Sequence, residues 1–353
     1  MDAIINGIQQ IGIGVADTKT VFNWYRQYLG FDILLFSDEA TATLMAKYTK
    51  GEAQRRDAYL SLNMRGGGGL EIWQFKDRIP NPSKNNILLG DLGINTMVLR
   101  SNSIAKTHKI LFEQKLIFLT DIIITTPERE FFYFNDPWGN RVQVVQDNYE
   151  FCDTSVASGG VMGCVIGVSH MDTSLYFYAT LLGYDKTIVD ETVALPLSLE
   201  TDTTGNFRRV LLQHSRPFFG GFGQLLGPSE LELIQSLDRV PNKIYENRLW
   251  GDLGYIHICF DVNGMEALRK KAVKIGHEFT VDSANSFDMG DAAGHFSYVE
   301  DPDGTLIEFV ETHKVPVLKA MGLFLNLKKR NPTKPLPKWL VKTLKLHKVK
   351  RNL

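Results

Sequence analysis

Residues 9–31 read QQIGIGVADTKTVFNWYRQYLGF, and this stretch decides the fold. The segment Ile8–Val15 alternates around small residues, as a β-strand does. Asp17 or Thr18 then suits a helix N-cap, because either side chain can accept a hydrogen bond from the first helical turn. Apolar residues follow at helical spacing until Gly30, where glycine tolerates the positive φ that ends many helices. The stretch therefore predicts a strand followed directly by a helix.

Further strand patterns follow this helix and complete a repeating unit. Tyr59–Asn63 and Leu70–Phe75 have the composition and length of strands, with a glycine-rich turn between them. The same order of strand, helix and strands returns after Gly93, and twice more in the second half of the chain. Two of these units end in strands joined by Asp-Pro-X-Gly turns that begin at Asp136 and Asp301. The sequence thus predicts four similar modules.

The two halves of the chain also repeat each other at a constant spacing. Asp77–Asn81 recurs as Asp238–Asn242, and Gly90–Gly93 recurs as Gly251–Gly254, both 161 positions later (238 − 77 and 251 − 90). A spacing shared by separate motifs indicates an internal duplication. The second half is predicted to begin near residue 155.

One such module cannot bury its sheet face alone, so the modules must pair. The predicted fold class is α+β, with four βαβββ modules paired into two curved mixed-sheet barrels. The cavity inside such a barrel is the expected ligand site. The predicted domains are an N-terminal pair of modules, a C-terminal pair of modules and a basic tail, at residues 1–150, 155–314 and 315–353.

The composition is that of an ordinary globular protein, with 44% hydrophobic and 22% charged residues in 353. No apolar run approaches the roughly 20 residues that span a bilayer, and the first residues do not resemble a secretory signal. The three cysteines, Cys152, Cys164 and Cys259, lack the spacing of a disulfide framework or a zinc finger. These features favour a cytoplasmic location.

The charge is unevenly distributed along the chain. Eleven Lys or Arg and no acidic residue follow Lys314, so the net charge of −1 leaves −12 (−1 − 11) on the preceding residues. A helix is predicted from about Lys338. Docking of this basic tail on the acidic body is the preferred interpretation, and contact with an anionic membrane surface is the alternative. No nucleic-acid partner is expected, and the chain is expected to be a monomer or a homodimer.

Together these motifs resemble the vicinal-oxygen-chelate superfamily, which includes glyoxalase I, methylmalonyl-CoA epimerase, extradiol dioxygenases and bleomycin-resistance proteins. The resemblance covers roughly residues 8–312. In this superfamily a metal ligand opens the first strand, and an Asp-Pro-Asp-Gly turn precedes a second ligand by seven residues. The matching positions are Gln10, Asp17, Trp24-Tyr25, Leu29-Gly30-Phe31, Asp301 and Glu308.

The resemblance implies two ligand positions in each module, one on its first strand and one on its last. In chain order these are Gln10 and Glu71, Thr96 and Gln143, Gly163 and Glu232, and His257 and Glu308. Glyoxalase I-like proteins commonly share a site between modules of different halves. Pairing the first and fourth modules would then give a metal site of Gln10, Glu71, His257 and Glu308, whereas the second and third modules would give a degenerate site.

One imidazole, two carboxylates and one amide oxygen suit a single divalent ion such as Zn, Ni, Co, Mn or Mg. The resemblance implies that such an ion stabilises an enediolate as a Lewis acid, while a carboxylate moves a proton α to a carbonyl. Glu308 is the predicted base, and Glu71 is the second candidate. The predicted function is a metal-dependent lyase or isomerase of glyoxalase type acting on a small molecule.

Glutathione-dependent glyoxalases usually carry anchoring Arg and Asn residues where this chain has Gly14, Phe75 and Leu253. We therefore do not expect a glutathione adduct as the substrate.

Two other functions are also compatible with the sequence. An extradiol dioxygenase would bind Fe with two His and one carboxylate, and Tyr298 resembles a tyrosine of such enzymes, but the second His position is Gly163. A non-catalytic binding protein would instead use an aromatic cavity, for which the candidate residues are Trp73, Phe75, Phe218 and Phe219.

Overall fold

The computed structural model of the chain contains two curved β-sheets with helices packed between and beside them. The strands in chain order are β1 (Ile4–Gly14), β2 (Ile33–Thr41), β3 (Arg55–Leu62), β4 (Gly69–Phe75), β5 (Gly93–Ser101), β6 (Ile123–Thr125), β7 (Arg129–Asn135), β8 (Arg141–Gln146), β9 (Ser158–Gly167), β10 (Lys186–Pro196), β11 (Thr204–Gln213), β12 (Glu230–Ser236), β13 (Gly254–Asn263), β14 (Val281–Asp282), β15 (Phe287–Met289), β16 (Ala292–Glu300), β17 (Leu306–Leu318) and β18 (Leu323–Asn326).

In the described part of the chain, helices are fewer than strands. They are α1 (Thr18–Leu29), α2 (Ile104–Glu113), α3 (Met171–Leu182), α4 (Gly223–Leu226), α5 (Met265–Lys274) and α6 (Lys338–Val341), with 3-10 turns at Thr43–Tyr48 and Lys342–His347. The structure describes residues 2–116, 118–125, 129–156, 158–198, 203–216, 220–284, 287–289, 292–318, 323–327 and 330–349.

The order of strands shows how the modules pair. The first sheet runs β14-β16-β17-β13-β1-β4-β3-β2, with β15 on β16 and β18 on β17, and the second runs β10-β11-β12-β9-β5-β8-β7-β6. The first sheet therefore joins the first module to the fourth, and the second joins the second module to the third. Parallel and antiparallel pairs occur in both sheets. The predicted α+β class with four paired βαβββ modules is confirmed, while the domain boundaries at residues 150, 155 and 314 stay a prediction.

The cap residues predicted from the sequence lie at the two ends of helix α1. The Asp17 side chain accepts a hydrogen bond from the Thr20 backbone N–H at 2.7 Å, and Gly30 adopts a left-handed conformation with φ 74°. Gly183 ends helix α3 with the same φ of 74°. Both halves of the chain therefore end their first helix at a glycine in the left-handed conformation.

The Asp-Pro turns hold helices of the preceding modules through buried tyrosines. The Tyr25 hydroxyl of α1 donates to Asp136 Oδ2 at 2.7 Å, and the Tyr178 hydroxyl of α3 donates to Asp301 Oδ2 at 2.9 Å. Burial raises the pKa of Asp301 to about 6, even though hydrogen bonds from Thr305 and Tyr178 oppose that rise. Each buried carboxylate thus depends on its tyrosine for part of its hydrogen bonding.

The described part of the basic tail lies on the body of the protein, as the preferred interpretation expected. Leu336 and Val341 pack in a small apolar cluster with Phe151. Lys348 forms an ion pair with Asp32 at 2.8 Å. Among the described residues, no helix combines the length and apolarity needed to cross a membrane, and the three cysteines are buried and form no disulfide.

Replacing Tyr25 with Phe tests the contact between helix α1 and the Asp136 turn. We expect Tyr25→Phe to lower the free energy of unfolding by about 1.5–3 kcal/mol, because it removes one of the hydrogen bonds to the buried Asp136 carboxylate. Urea denaturation measures the change. The control is Tyr28→Phe on the same helix, whose ring packs against Trp24. Equal stability of the two variants would contradict this role for the Tyr25 hydroxyl.

Candidate metal centre

The predicted ligands lie on four neighbouring strands at the centre of the first sheet, β4, β1, β13 and β17. The register places Gly12 opposite both Glu71 and His257. It also places Cys259 opposite both Gln10 and Glu308. Because side chains alternate along a strand, this register brings the chosen positions to one level on one face of the sheet. The structure therefore brings together all four of Gln10, Glu71, His257 and Glu308.

The interatomic distances are short enough for one ion to contact several of these groups. His257 Nε2 lies 3.3 Å from Glu71 Oε2 and 3.0 Å from Glu308 Oε2. The Gln10 amide nitrogen lies 3.3 Å and 3.4 Å from the same two oxygens. One ligand atom from each of the two acids and the imidazole falls within 4.8 Å of the others, and all three residues are buried.

The charges in this cluster are unbalanced without a cation. Burial would lower the pKa of His257, but the carboxylates of Glu308 and Glu71 raise it to about 9. Burial raises the pKa of the Glu308 carboxyl, and the adjacent His257 offsets part of this rise. Two carboxylates with one imidazolium carry a net charge of −1. A divalent cation that displaces the imidazole proton would bring the buried cluster to neutrality.

Unpartnered atoms show that the donor set fits a metal ion. Among the described residues, neither Gln10 Oε1 nor His257 Nε2 has a hydrogen-bond partner, although both are buried. Nε2 is close to two carboxylate oxygens but lacks hydrogen-bond geometry towards either. Neutral imidazole nitrogen, carboxylate oxygen and amide oxygen are all ligands of Zn²⁺ or Mn²⁺. The four residues therefore fit one divalent ion.

Gly12 makes room for the imidazole and was not singled out from the sequence. A Cβ atom at this position would lie less than 3.0 Å from three ring atoms of His257. The imidazole therefore rests on the bare backbone of β1, an approach that only glycine permits. The sequence Ile11-Gly12-Ile13-Gly14 could have indicated this space. Its alternation places the glycines on the same face of β1 as Gln10.

Aromatic side chains surround the cluster on the same face of the sheet. The rings of Trp73 and Trp250 are 4.5 Å apart, and the Tyr298 ring meets the His257 ring edge-on at 5.5 Å. Burial and the Glu308 carboxylate hold the pKa of Tyr298 well above its usual value, so the phenol is neutral. Phe75 also packs here. Phe218 and Phe219, predicted as cavity residues, lie outside the described residues.

The corresponding positions in the second sheet are arranged differently. Glu232 is bound by Arg209 Nε at 2.6 Å, and Gln143 Nε2 donates to the Tyr133 hydroxyl at 2.9 Å. Gly163 lies against the backbone carbonyl of Glu230, where a side chain would not fit. Within the part of the chain that the structure describes, Glu71, His257 and Glu308 form the one cluster of three potential metal ligands.

Comparison with known proteins agrees with this architecture. Residues 7–144 match the family model of the Glyoxalase/Bleomycin resistance protein/Dioxygenase superfamily. Glyoxalase I from Zea mays superimposes with a TM-score of 0.54 at 12% identity, covering 86% of this chain and 92% of that one. A protein of Bacillus subtilis provisionally assigned as a dioxygenase gives 0.53 at 13% identity, covering 87% and 85%. No curated protein matches the sequence.

The fold and the family match define a four-module protein of the vicinal-oxygen-chelate type. By sequence, residues 7–144 match the Glyoxalase/Bleomycin resistance protein/Dioxygenase superfamily, and the fold of both halves is similar to that of glyoxalase I. At such low identity the solved structures establish the fold and leave the reaction open.

Adding one methyl group at Gly12 tests how tightly the imidazole is held. We expect Gly12→Ala to destabilise the fold by about 1–3 kcal/mol, because the new Cβ would overlap the His257 ring. The control is Gly221→Ala, where the nearest atoms to an added Cβ lie at an ordinary 3.5 Å. Urea denaturation compares the two variants. A Gly12→Ala protein as stable as its parent would show that the ring does not need this space.

Proposed function

We propose that this protein is a metal-dependent lyase or isomerase that moves a proton at a carbon α to a carbonyl group. The observation that carries the proposal is the buried convergence of one imidazole, two carboxylates and one amide at a single point of the first sheet. Gln10, Glu71, His257 and Glu308 would hold one divalent ion such as Zn, Ni, Co, Mn or Mg. When bound, the ion would supply Lewis-acid stabilisation of negative charge on adjacent substrate oxygens.

Glu308 is the proposed general base of the reaction. Its carboxylate lies beside His257 and the neutral phenol of Tyr298, and burial raises the pKa of its carboxyl group. A buried carboxylate with a raised pKa is a better proton acceptor than one in water. Glu308 would take the proton from the substrate carbon and return it to the same or a neighbouring carbon. Glu71, across the cluster, is the second candidate for this role.

The surroundings of the cluster favour a small carbonyl substrate with an apolar group. Trp73, Trp250 and Tyr298 form an apolar wall that would exclude water from the reacting atoms. The positions of the expected glutathione anchors are unsuitable here: Phe75 packs on Trp250, and Gly14 lies against the Asp252 backbone carbonyl with no space for a side chain. We therefore propose a substrate that is not a glutathione adduct.

An extradiol-type dioxygenase is the second candidate function. The edge-on contact of Tyr298 with His257 favours it, since a tyrosine beside the ligands suits an oxygen-activating site. The single imidazole among the described cluster residues weighs against it, because non-haem Fe(II) oxygenases use two His and one carboxylate. A binding protein without catalysis is the third candidate, and the two experiments below separate the three.

The first experiment measures metal binding. Protein treated with a chelator is expected to take up one equivalent of Zn²⁺ or Mn²⁺, and a hundredfold excess of metal over Kd would add about 2.7 kcal/mol of stability. We expect His257→Ala to weaken binding at least a hundredfold, because it removes the nitrogen ligand. The matched control is His295→Ala, which removes another buried histidine that contacts a carboxylate, Asp282, in the same sheet.

Titration calorimetry and elemental analysis of the purified proteins provide the readout. Retention of full metal stoichiometry and affinity by His257→Ala would refute the site. An absence of metal uptake by the parent protein would favour the binding protein without a metal.

The second experiment measures proton exchange at carbon. In D₂O, the metal-loaded protein is expected to exchange the α-protons of 2-hydroxyacetophenone, followed by NMR. We expect Glu308→Gln to slow this exchange about 10²- to 10⁴-fold, the usual contribution of a general base. The control is Glu311→Gln, on the same strand but bonded to the Gly264 backbone N–H. Equal exchange by the parent and Glu308→Gln would contradict the assignment, and oxygen uptake with catechol and Fe(II) would favour the dioxygenase.

A further inference from the structure

The second sheet encloses a cavity that the proposed function does not use. Its volume is about 700 Å³, which lies within the range of about 300–1,000 Å³ found for small-molecule sites. Strands β6 and β7 form one wall and β10 and β11 the other, with β12, β9, β5 and β8 between them. This cavity belongs to the second and third modules, whereas the candidate metal centre belongs to the first and fourth.

The two walls of this cavity are mainly apolar. Ile123 and Phe131 line one side, and Ile188, Val193 and Leu211 line the other. Polar side chains lie among these apolar residues, on the walls (Arg129, Tyr133, Glu191 and Arg209) as well as on the central strands (Glu232). A mainly apolar lining with a small number of polar groups is the usual form of a site for a small organic molecule.

In this sheet an arginine side chain lies beside the glutamate that corresponds to the proposed metal ligand Glu71. Glu232 stands opposite Leu211, and Arg209 lies two residues from Leu211 on the same strand. In the first sheet Glu71 stands opposite Leu60, and the position equivalent to Arg209 is Ala58. The Arg209 guanidinium contacts Glu232 at 2.6 Å and Glu191 at 2.9 Å. The carboxylate equivalent to Glu71 is therefore neutralised without an ion.

The other charges at this cavity are also paired. Arg129 donates to the buried Glu230 carboxylate at 3.0 Å and through a second, shorter contact. Arg141, the third arginine of the lining, has an interaction partner as well. A charged ligand would gain no free countercharge here and would lose its hydration.

The Tyr133 hydroxyl is a neutral donor in the lining of this cavity. The Tyr133 hydroxyl oxygen accepts a hydrogen bond from Gln143, which leaves the Tyr133 O–H hydrogen to donate to a ligand. Burial raises the pKa of Tyr133, so the hydroxyl keeps this hydrogen near neutral pH.

We propose that this cavity is a second, metal-independent site that binds an uncharged, largely apolar molecule carrying one carbonyl or hydroxyl acceptor. The apolar walls would hold the body of the molecule, and Tyr133 would donate to its acceptor. The site stands whether or not the first sheet binds metal, because it shares none of the candidate ligands.

The test uses prodan, an uncharged naphthalene dye with one carbonyl group whose emission shifts to the blue in apolar surroundings. Full-length protein is expected to bind one equivalent saturably, with and without chelator. The anionic dye 1-anilinonaphthalene-8-sulfonate is expected to bind at least tenfold more weakly. Val193→Trp should weaken prodan binding at least tenfold by filling the cavity, and Tyr133→Phe should weaken it about two- to tenfold by removing the donor.

Two matched variants control for the location of the dye. Thr192→Trp adds the same side chain to the adjacent, exposed position of β10. Ala40→Trp adds it to β2 at the position of the first sheet that corresponds to Val193 in the strand register. Both should bind prodan like the parent protein. Unchanged binding by Val193→Trp, loss of binding in Ala40→Trp, or tighter binding of the anionic dye would each overturn the proposal.

Discussion

The antiparallel pairing of β1 with β13 is the contact on which the candidate site depends. It joins strands about 250 residues apart in the sequence and sets His257 opposite Gly12. A shift by one residue would turn the ligand side chains to the other face of the sheet, into the main hydrophobic core that contains Ile11 and Ile13. Glycines at positions 12 and 14 permit the close approach of the two chain halves, since neither position has room for a side chain. The register between β1 and β13 therefore determines both the pairing of the two chain halves and the position of the candidate ligands.

The second sheet shows what the duplication preserved and what it changed. The close approach of Gly14 to the Asp252 carbonyl recurs between Gly167 and the Asp91 carbonyl, and both Asp-Pro turns accept a tyrosine hydroxyl. The polar positions diverged. Thr96 stands where the first sheet has His257, and an arginine neutralises the remaining glutamate. One architecture therefore supports a cluster suited to a cation and a cavity suited to a neutral molecule.

The sequence predicted those features that depend on local signals or on motif position. Helix α1 begins after Asp17 and ends before Gly30, as expected. The four proposed ligands lie close together because each occupies a fixed position in its module. Strand lengths were underestimated: β1 begins at Ile4 because Ile4 pairs with Asn263, and such pairing is set by the partner strand. The contact of Arg209 with Glu232 was also missed, since it depends on the register between β11 and β12, for which the sequence carries no local signal.

We expect one metal ion to bind where the first and fourth modules meet. Anomalous X-ray diffraction from crystals soaked with Zn²⁺ or Mn²⁺ tests this directly. We expect one anomalous peak per chain, about 2.0–2.3 Å from His257 Nε2 and from oxygens of Gln10, Glu71 and Glu308, with no peak beside Glu232. A structure without a peak among those four side chains, or with the ion held by Glu232 instead, would contradict this expectation.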